Sequence, residues 1–183
     1  MPKLNATLED QAQELLDDLG YETIPVPVDK IAKQRGAQLR YSPLDKELCG
    51  MVFVKDGVPI IGVNALHHPN RQRFSIAHEI AHLELHRDHI ASKVHVDKGF
   101  QVSVLRRDAN SATGTERLEI EANQFAAALL IPRRILDEVL AKAHVDIDDN
   151  EAMENWAKKF KVSKATLEFR IKNLPSDRPA GKR

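Results

Sequence analysis

The stretch RFSIAHEIAHLELH, residues 73–86, decides how this chain is read. Its apolar side chains recur at helical spacing, so the pattern predicts a helix over residues 71–86. Within it His78, Glu79 and His82 form H-E-x-x-H. Residues four apart on a helix differ by about 40° around the axis and about 6 Å along it. Both imidazoles therefore leave one face and can reach a single ion, for which zinc is the best match among common metals. Glu79, adjacent to His78, is better placed to work on a water beside that ion than to bind the ion. Metal-assisted hydrolysis requires that arrangement. A lone histidine on an apolar face is usually a satisfied core residue. Here the pair, the acid between them and the apolar setting occur together, and the combination is read as a metal site. A metal held without catalysis is the competing reading.

Catalytic zinc usually keeps three protein ligands and one open position, so a third ligand is sought. One recurring pattern places a glycine three residues after the second histidine and another histidine three later. Those positions hold Leu85 and Asp88, which leaves Asp88 as a candidate only by reach. His86 lies a further turn along, too far from His78 for both to hold one ion. A carboxylate-bridged iron pair would need a second E-x-x-H motif, and none is found. A second predicted helix, ERLEIEANQFAAALLI over residues 116–131, offers Glu119 and Glu121 beside the stripe Leu118, Ala122, Phe125 and Leu129. Periodicity does not choose between these two acids. A ligating histidine normally donates its other N–H to an acceptor. Glu119 has Asn123 one turn on, whereas Glu121 has Phe125. Ala122 and Ala126 would let the two helices approach closely. Glu119 is preferred, with Glu121 as the alternative.

The 183 residues suit one domain with a small appendage. Net charge is zero, which argues against an electrostatic nucleic-acid binder. Residues 158–183, however, carry nine Lys/Arg against two Asp/Glu. The single cysteine, Cys49, allows no intrachain disulfide and fits a reducing compartment; it is expected to be a small buried residue. The N-terminus has no apolar signal core, and the longest clean apolar run, FAAALLI, is too short to span a bilayer. A soluble, cytoplasmic protein is expected.

Leu8, Ala12, Leu15, Leu16 and Leu19 predict a first helix ending at Gly20, and Asp29 and Gly36 bracket a second, with Asp29 as its N-cap. Strand-like runs flank Asp56-Gly57, a pair suited to a tight hairpin, while Pro59 pushes the second run towards a sheet edge. Residues 87–114 lose periodicity. Short strands near Val94 and Val102–Leu105, and a lid or substrate wall, are expected there. Two further helices close the chain, the last capped by Ser163. With Arg170 and Lys172 they look loosely like a helix-turn-helix. Phe160, Val162, Leu167, Phe169 and Ile171 are apolar enough to pack the pair onto the domain instead, and that is the expectation. The sum is α+β: a small antiparallel sheet early, helices for most of the rest, and a disordered tail.

RQRFSIAHEIAHLELH followed by EIEANQFAAALLIP, with the upstream PIIGVN, closely resembles the ImmA/IrrE family of bacterial metallopeptidases over roughly residues 20–140. The resemblance implies a zincin-like metallopeptidase domain. The expected organisation is that domain over residues 1–145, a helical hairpin at 146–175 packed on it and a disordered tail at 176–183. The resemblance implies one zinc ion per chain held by His78, His82 and Glu119, with Glu79 as the base. It also implies a protein substrate, a helix-turn-helix repressor of the XRE type. Unlike some relatives, the chain is expected to lack an N-terminal DNA-binding domain and a C-terminal sensor domain. Direct nucleic-acid binding and a membrane partner are not expected. A substrate peptide pairing with the strand at 59–63 is one expectation, plain sheet core the other. Tyr41, His86, His89, His95, Arg106 and Arg107 are chemically able to supply a second oxyanion donor. The alternative function is a non-catalytic, zinc-stabilised protein that sequesters a repressor or sits on DNA.

Overall fold

A computed structural model of the chain describes residues 7–90, 95–97, 114–143 and 149–174. The first helix, α1 (Leu8–Asp18), starts where local chemistry favours it. Thr7 Oγ1 accepts from Asp10 N and the Asp10 carboxylate accepts from Thr7 N, so two end donors are satisfied reciprocally. Its buried face is Ala12, Leu15 and Leu16. Helix α2 (Val28–Gln34) begins two residues earlier than expected. Pro27 is its N-cap, and Asp29 sits in the first turn without a capping hydrogen bond. The acid there acts as a charge near the positive helix end.

Strands β1 (Gln38–Ser42), β2 (Gly50–Lys55), β3 (Val58–Asn64) and β4 (His95–Asp97) form one sheet in the order β1-β3-β2-β4. The β2–β3 hairpin turns on Asp56 and Gly57, both at positive φ (53° and 79°), the geometry a two-residue turn demands. The sheet is mixed rather than antiparallel, because β1 runs parallel to β3. Helix α2 precedes β1, and the hairpin then supplies β3 between β1 and β2. Pro59 therefore does not mark an edge strand. The two-residue loop makes Lys55–Val58 a hydrogen-bonded pair, so the missing N–H of Pro59 faces away from β2. On that side the pairing of β1 begins only at Ile60. An inner position also explains the unbroken apolar run, since Pro59, Ile60, Ile61 and Val63 are all buried.

Helix α3 (Pro69–Leu85) is the molecule's central rod. All ten residues from Phe74 to Leu83 are buried, so it is covered all round rather than on one stripe. Strands β2 and β3, α2 and α5 (Gly114–Leu130) surround it, α5 most extensively. Helix α5 buries Ala122, Phe125, Ala126 and Leu129 and also packs on α1. The short α4 (Arg87–Ile90) continues from α3, and α6 (Arg133–Ala143) follows α5.

Helices α7 (Asn150–Phe160) and α8 (Lys164–Lys172) pack on each other, and α8 packs on α5. Ser163 caps α8 by accepting from Thr166 N at 3.1 Å. Phe160, Val162 and Leu167 join the core. Arg170, one of the two basic residues considered for DNA contact, is buried. Its guanidinium donates to the Ile131 carbonyl at 3.1 Å and pairs with Glu9 of α1. Val94, Val102–Leu105, residues 91–94 and 98–113 of the segment 87–114 expected as a lid or substrate wall, and the tail 176–183 lie outside the described residues.

Candidate metal centre

Two helices build the site. On α3, His78 and His82 project from one face, four residues apart, and α5 brings Glu119 against them. The two histidine Nε2 atoms lie 3.0 Å apart. Glu119 Oε2 is 3.1 Å from His78 Nε2, and Glu119 Oε1 is 3.4 Å from His82 Nε2. Ligands held about 2.0–2.1 Å from a tetrahedral ion stand about 3.3 Å from one another. The trio therefore has the spacing of a zinc donor set. Both histidines are almost fully buried, while the Glu119 side chain remains 31% exposed.

The second nitrogens are also engaged. His78 Nδ1 lies 2.9 Å from Asn123 Oδ1, so Nδ1–H donates and the Nε2 lone pair faces the trio. The acceptor on α5 is the one that separated Glu119 from Glu121 in the sequence. His82 Nδ1 lies 3.1 Å from His86 Nδ1, and His86 Nε2 lies 3.1 Å from Glu121 Oε2. Arg117 Nε donates to Glu121 Oε1 at 2.8 Å. Burial alone would raise the Glu121 carboxyl; hydrogen bonds from Arg117 and His86 outweigh it and hold the group below the ordinary carboxylate range. Glu121 is thus drawn to His86 rather than to the His78–His82 pair.

Glu79 is fully buried at the start of β2 and is not one of the three converging donors. A Cβ on Gly50 would stand 2.9 Å from Glu79 Oε1, 3.3 Å from the Gly62 carbonyl and 3.4 Å from Ser75 Cβ. Only glycine lets the strand pass this close to the carboxylate. The neighbouring Cys49 is buried as expected, and its Sγ accepts from Arg71 Nε and Nη2 at 3.1 and 2.9 Å.

A profile of the peptidase M78 family, described as the IrrE N-terminal-like domain, matches residues 32–172. The chain belongs to this family. A search of curated proteins gives no match. Among solved structures, one described as a Mycobacterium tuberculosis transcriptional regulator superposes with a TM-score of 0.64 at 21% identity. The similarity covers 95% of this chain and 48% of that one, so this chain spans about half the length of its structural relative. At that identity the likeness speaks to fold alone, an α+β zincin-like domain.

The IrrE-like chain leaves several sequence candidates away from the trio. Asp88 lies exposed on α4. Tyr41 is half-exposed on β1, separated from β2 by β3, and its hydroxyl pKa is raised by burial and by Asp29. Arg106 and Arg107 lie outside the described residues, as do the side chains of His89 and His95. His86 is the residue the sequence placed least well. It is too far along the helix to share an ion with His78, yet it packs directly beneath His82.

Proposed function

We propose that this chain is a zinc-dependent endopeptidase of the cytoplasm that cuts a regulatory protein, a helix-turn-helix repressor of the XRE type. The observation that carries the reading is the convergence of two imidazole nitrogens and a carboxylate at 3.0–3.4 Å, beside a second, buried acid. Membership of a peptidase family supports the reaction class. The regulator described for the structural relative supports a role in transcriptional control. Among the described residues no helix is long and apolar enough to cross a membrane.

His78, His82 and Glu119 would hold one zinc ion, which when bound polarises a substrate carbonyl and acidifies water. Glu79 takes the proton from the attacking water and hands it to the leaving amine. Its burial next to Gly50 keeps the carboxylate from turning away to bulk solvent. Asn123 orients His78 from behind. An extended substrate cannot pair with residues 59–63, because β3 is flanked by β1 and β2. Strand β4 is the outer neighbour of β2 and pairs with Gly50 beside Glu79; among the described residues no strand pairs with its outer edge, and that edge is where a substrate strand would add. Direct DNA contact through the C-terminal helices is disfavoured by the burial of Arg170.

Co-expression with a helix-turn-helix repressor encoded beside this chain tests the reading. The wild type should cleave it, chelation should stop cleavage, and Glu79→Gln should retain zinc while losing cleavage. If Glu79→Gln instead kept full biological activity, the protein would be a zinc-stabilised binding module.

A further inference from the structure

We propose that His86 is a positioning residue that locks the tautomer of His82, and that Glu121 and Arg117 hold His86 in the state this requires. The inference rests on reading the His78–His82–Glu119 trio as a metal centre, and it concerns residues outside that trio.

The argument begins with a proton count. Two Nδ1 atoms 3.1 Å apart, His82 and His86, make a hydrogen bond only if one carries a proton and the other a lone pair. Glu121 decides which. Its carboxylate lies 3.1 Å from His86 Nε2 and offers only lone pairs when ionised, so the proton of a neutral His86 belongs on Nε2. Arg117 donates to the other Glu121 oxygen at 2.8 Å, which leaves Oε2 turned towards His86. His86 Nδ1 is then a bare acceptor, and His82 must donate from its own Nδ1. The Nε2 of His82 is left with its lone pair directed at His78 Nε2 and Glu119.

Burial gives this relay its weight. His82 is 1% exposed and His86 6% exposed, so water is a poor substitute for the missing partner. With an apolar residue at position 86, the His82 Nδ1–H would lose this acceptor, and the competing tautomer, protonated on Nε2, would gain population. That tautomer points a proton where a ligand lone pair is needed. The two histidines of the H-E-x-x-H motif thus take their orientation from different places: His78 from Asn123 on α5, and His82 from the next turn of its own helix.

Zinc affinity measured by chelator competition, with no substrate present, tests the proposal on the purified full chain. His86→Leu should bind zinc about 10- to 100-fold more weakly than the wild type. His86→Asn, whose Oδ1 stands about where Nδ1 stood and can only accept, should recover most of the loss. Glu121→Ala should fall between. On the zinc-loaded wild type, nitrogen-15 imidazole spectra should show the proton of His82 on Nδ1 and that of His86 on Nε2. Wild-type affinity in His86→Leu, an Asn variant no better than Leu, or a His86 proton on Nδ1 would each overturn the proposal. The spectrum decides even if the leucine variant does not fold. A wild type that takes up no zinc would remove the metal-centre reading itself, an outcome separable from equal binding by wild type and variant.

Discussion

At the residue scale, the molecule depends on a few side chains whose chemistry has no substitute. Asn64 closes β3, fully buried. Its Oδ1 accepts from Leu44 N and Leu66 N, and its Nδ2 donates to the carbonyls of Leu44, Asp45 and Leu48. One amide thereby satisfies the polar backbone of the loop leading into β2. Gly50, at the other end of that loop, is required for a steric reason, the 2.9 Å that a Cβ would leave to Glu79 Oε1. Gly50→Ala should therefore displace the Glu79 carboxylate while leaving His78, His82 and Glu119 in place. The expected result is unchanged zinc content with cleavage slowed about 100-fold, the usual scale for misplacing a reacting group by about an ångström. Metal analysis beside a single-turnover cleavage assay checks it, and loss of zinc in this variant would contradict it.

At the element scale, the site is a property of the α3–α5 pair. Glu119, Ala122, Asn123 and Ala126 follow one another at helical spacing, so the face that presents the carboxylate and the amide also presents two small residues. Ala77, Ala81, Ala122 and Ala126 are all fully buried, which is how two helices approach closely enough for Glu119 and Asn123 to reach the histidines. Ala126→Leu should overpack this seam, costing about 1–3 kcal/mol of stability. Zinc binding should weaken with it, because the two ligand-bearing helices are pushed apart. Denaturant unfolding and zinc titration on one sample check both, and a stable variant with full zinc affinity would show that the seam tolerates the added volume. Much of this was legible beforehand. The helix, its histidine pair and the glycine turn at 57 follow from local periodicity and backbone sterics. The Glu119–Asn123 spacing already favoured one acid over the other.

At the scale of the whole molecule, two arginines, one of them buried, join distant parts of the chain. Arg73 on α3 donates to the carbonyls of Val26 and Lys161, at 2.8 and 3.2 Å. Arg170 on α8 binds the Ile131 carbonyl just past the end of α5 and pairs with Glu9 in the first turn of α1. The C-terminal hairpin is thus tied to α3 through Lys161 and to α1 and the end of α5 through Arg170, and the helix-turn-helix appearance of the sequence has its key arginine turned inwards. Arg170→Met should leave the Glu9 carboxylate and the Ile131 carbonyl poorly compensated and destabilise the protein by about 3 kcal/mol. Chemical denaturation measures that loss. A variant as stable as the wild type would mean that the arginine is free for another task.

What the sequence determined by itself was whatever depends on neighbours a few residues away. Helix periodicity put His78 and His82 on one face, Asp56-Gly57 made a hairpin, Ser163 capped the last helix, and two ordered motifs pointed to the family. The tertiary structure decided what depends on which surfaces meet. It set β1 parallel to β3, put Pro59 on an inner strand ahead of the first β1 pairing, turned Arg170 inwards and stacked His86 beneath His82. The physical reason is range. Backbone sterics and side-chain period act within one or two turns and are written locally. Strand partners and helix faces are selected by burial among segments up to 161 positions apart, as Glu9 and Arg170 are.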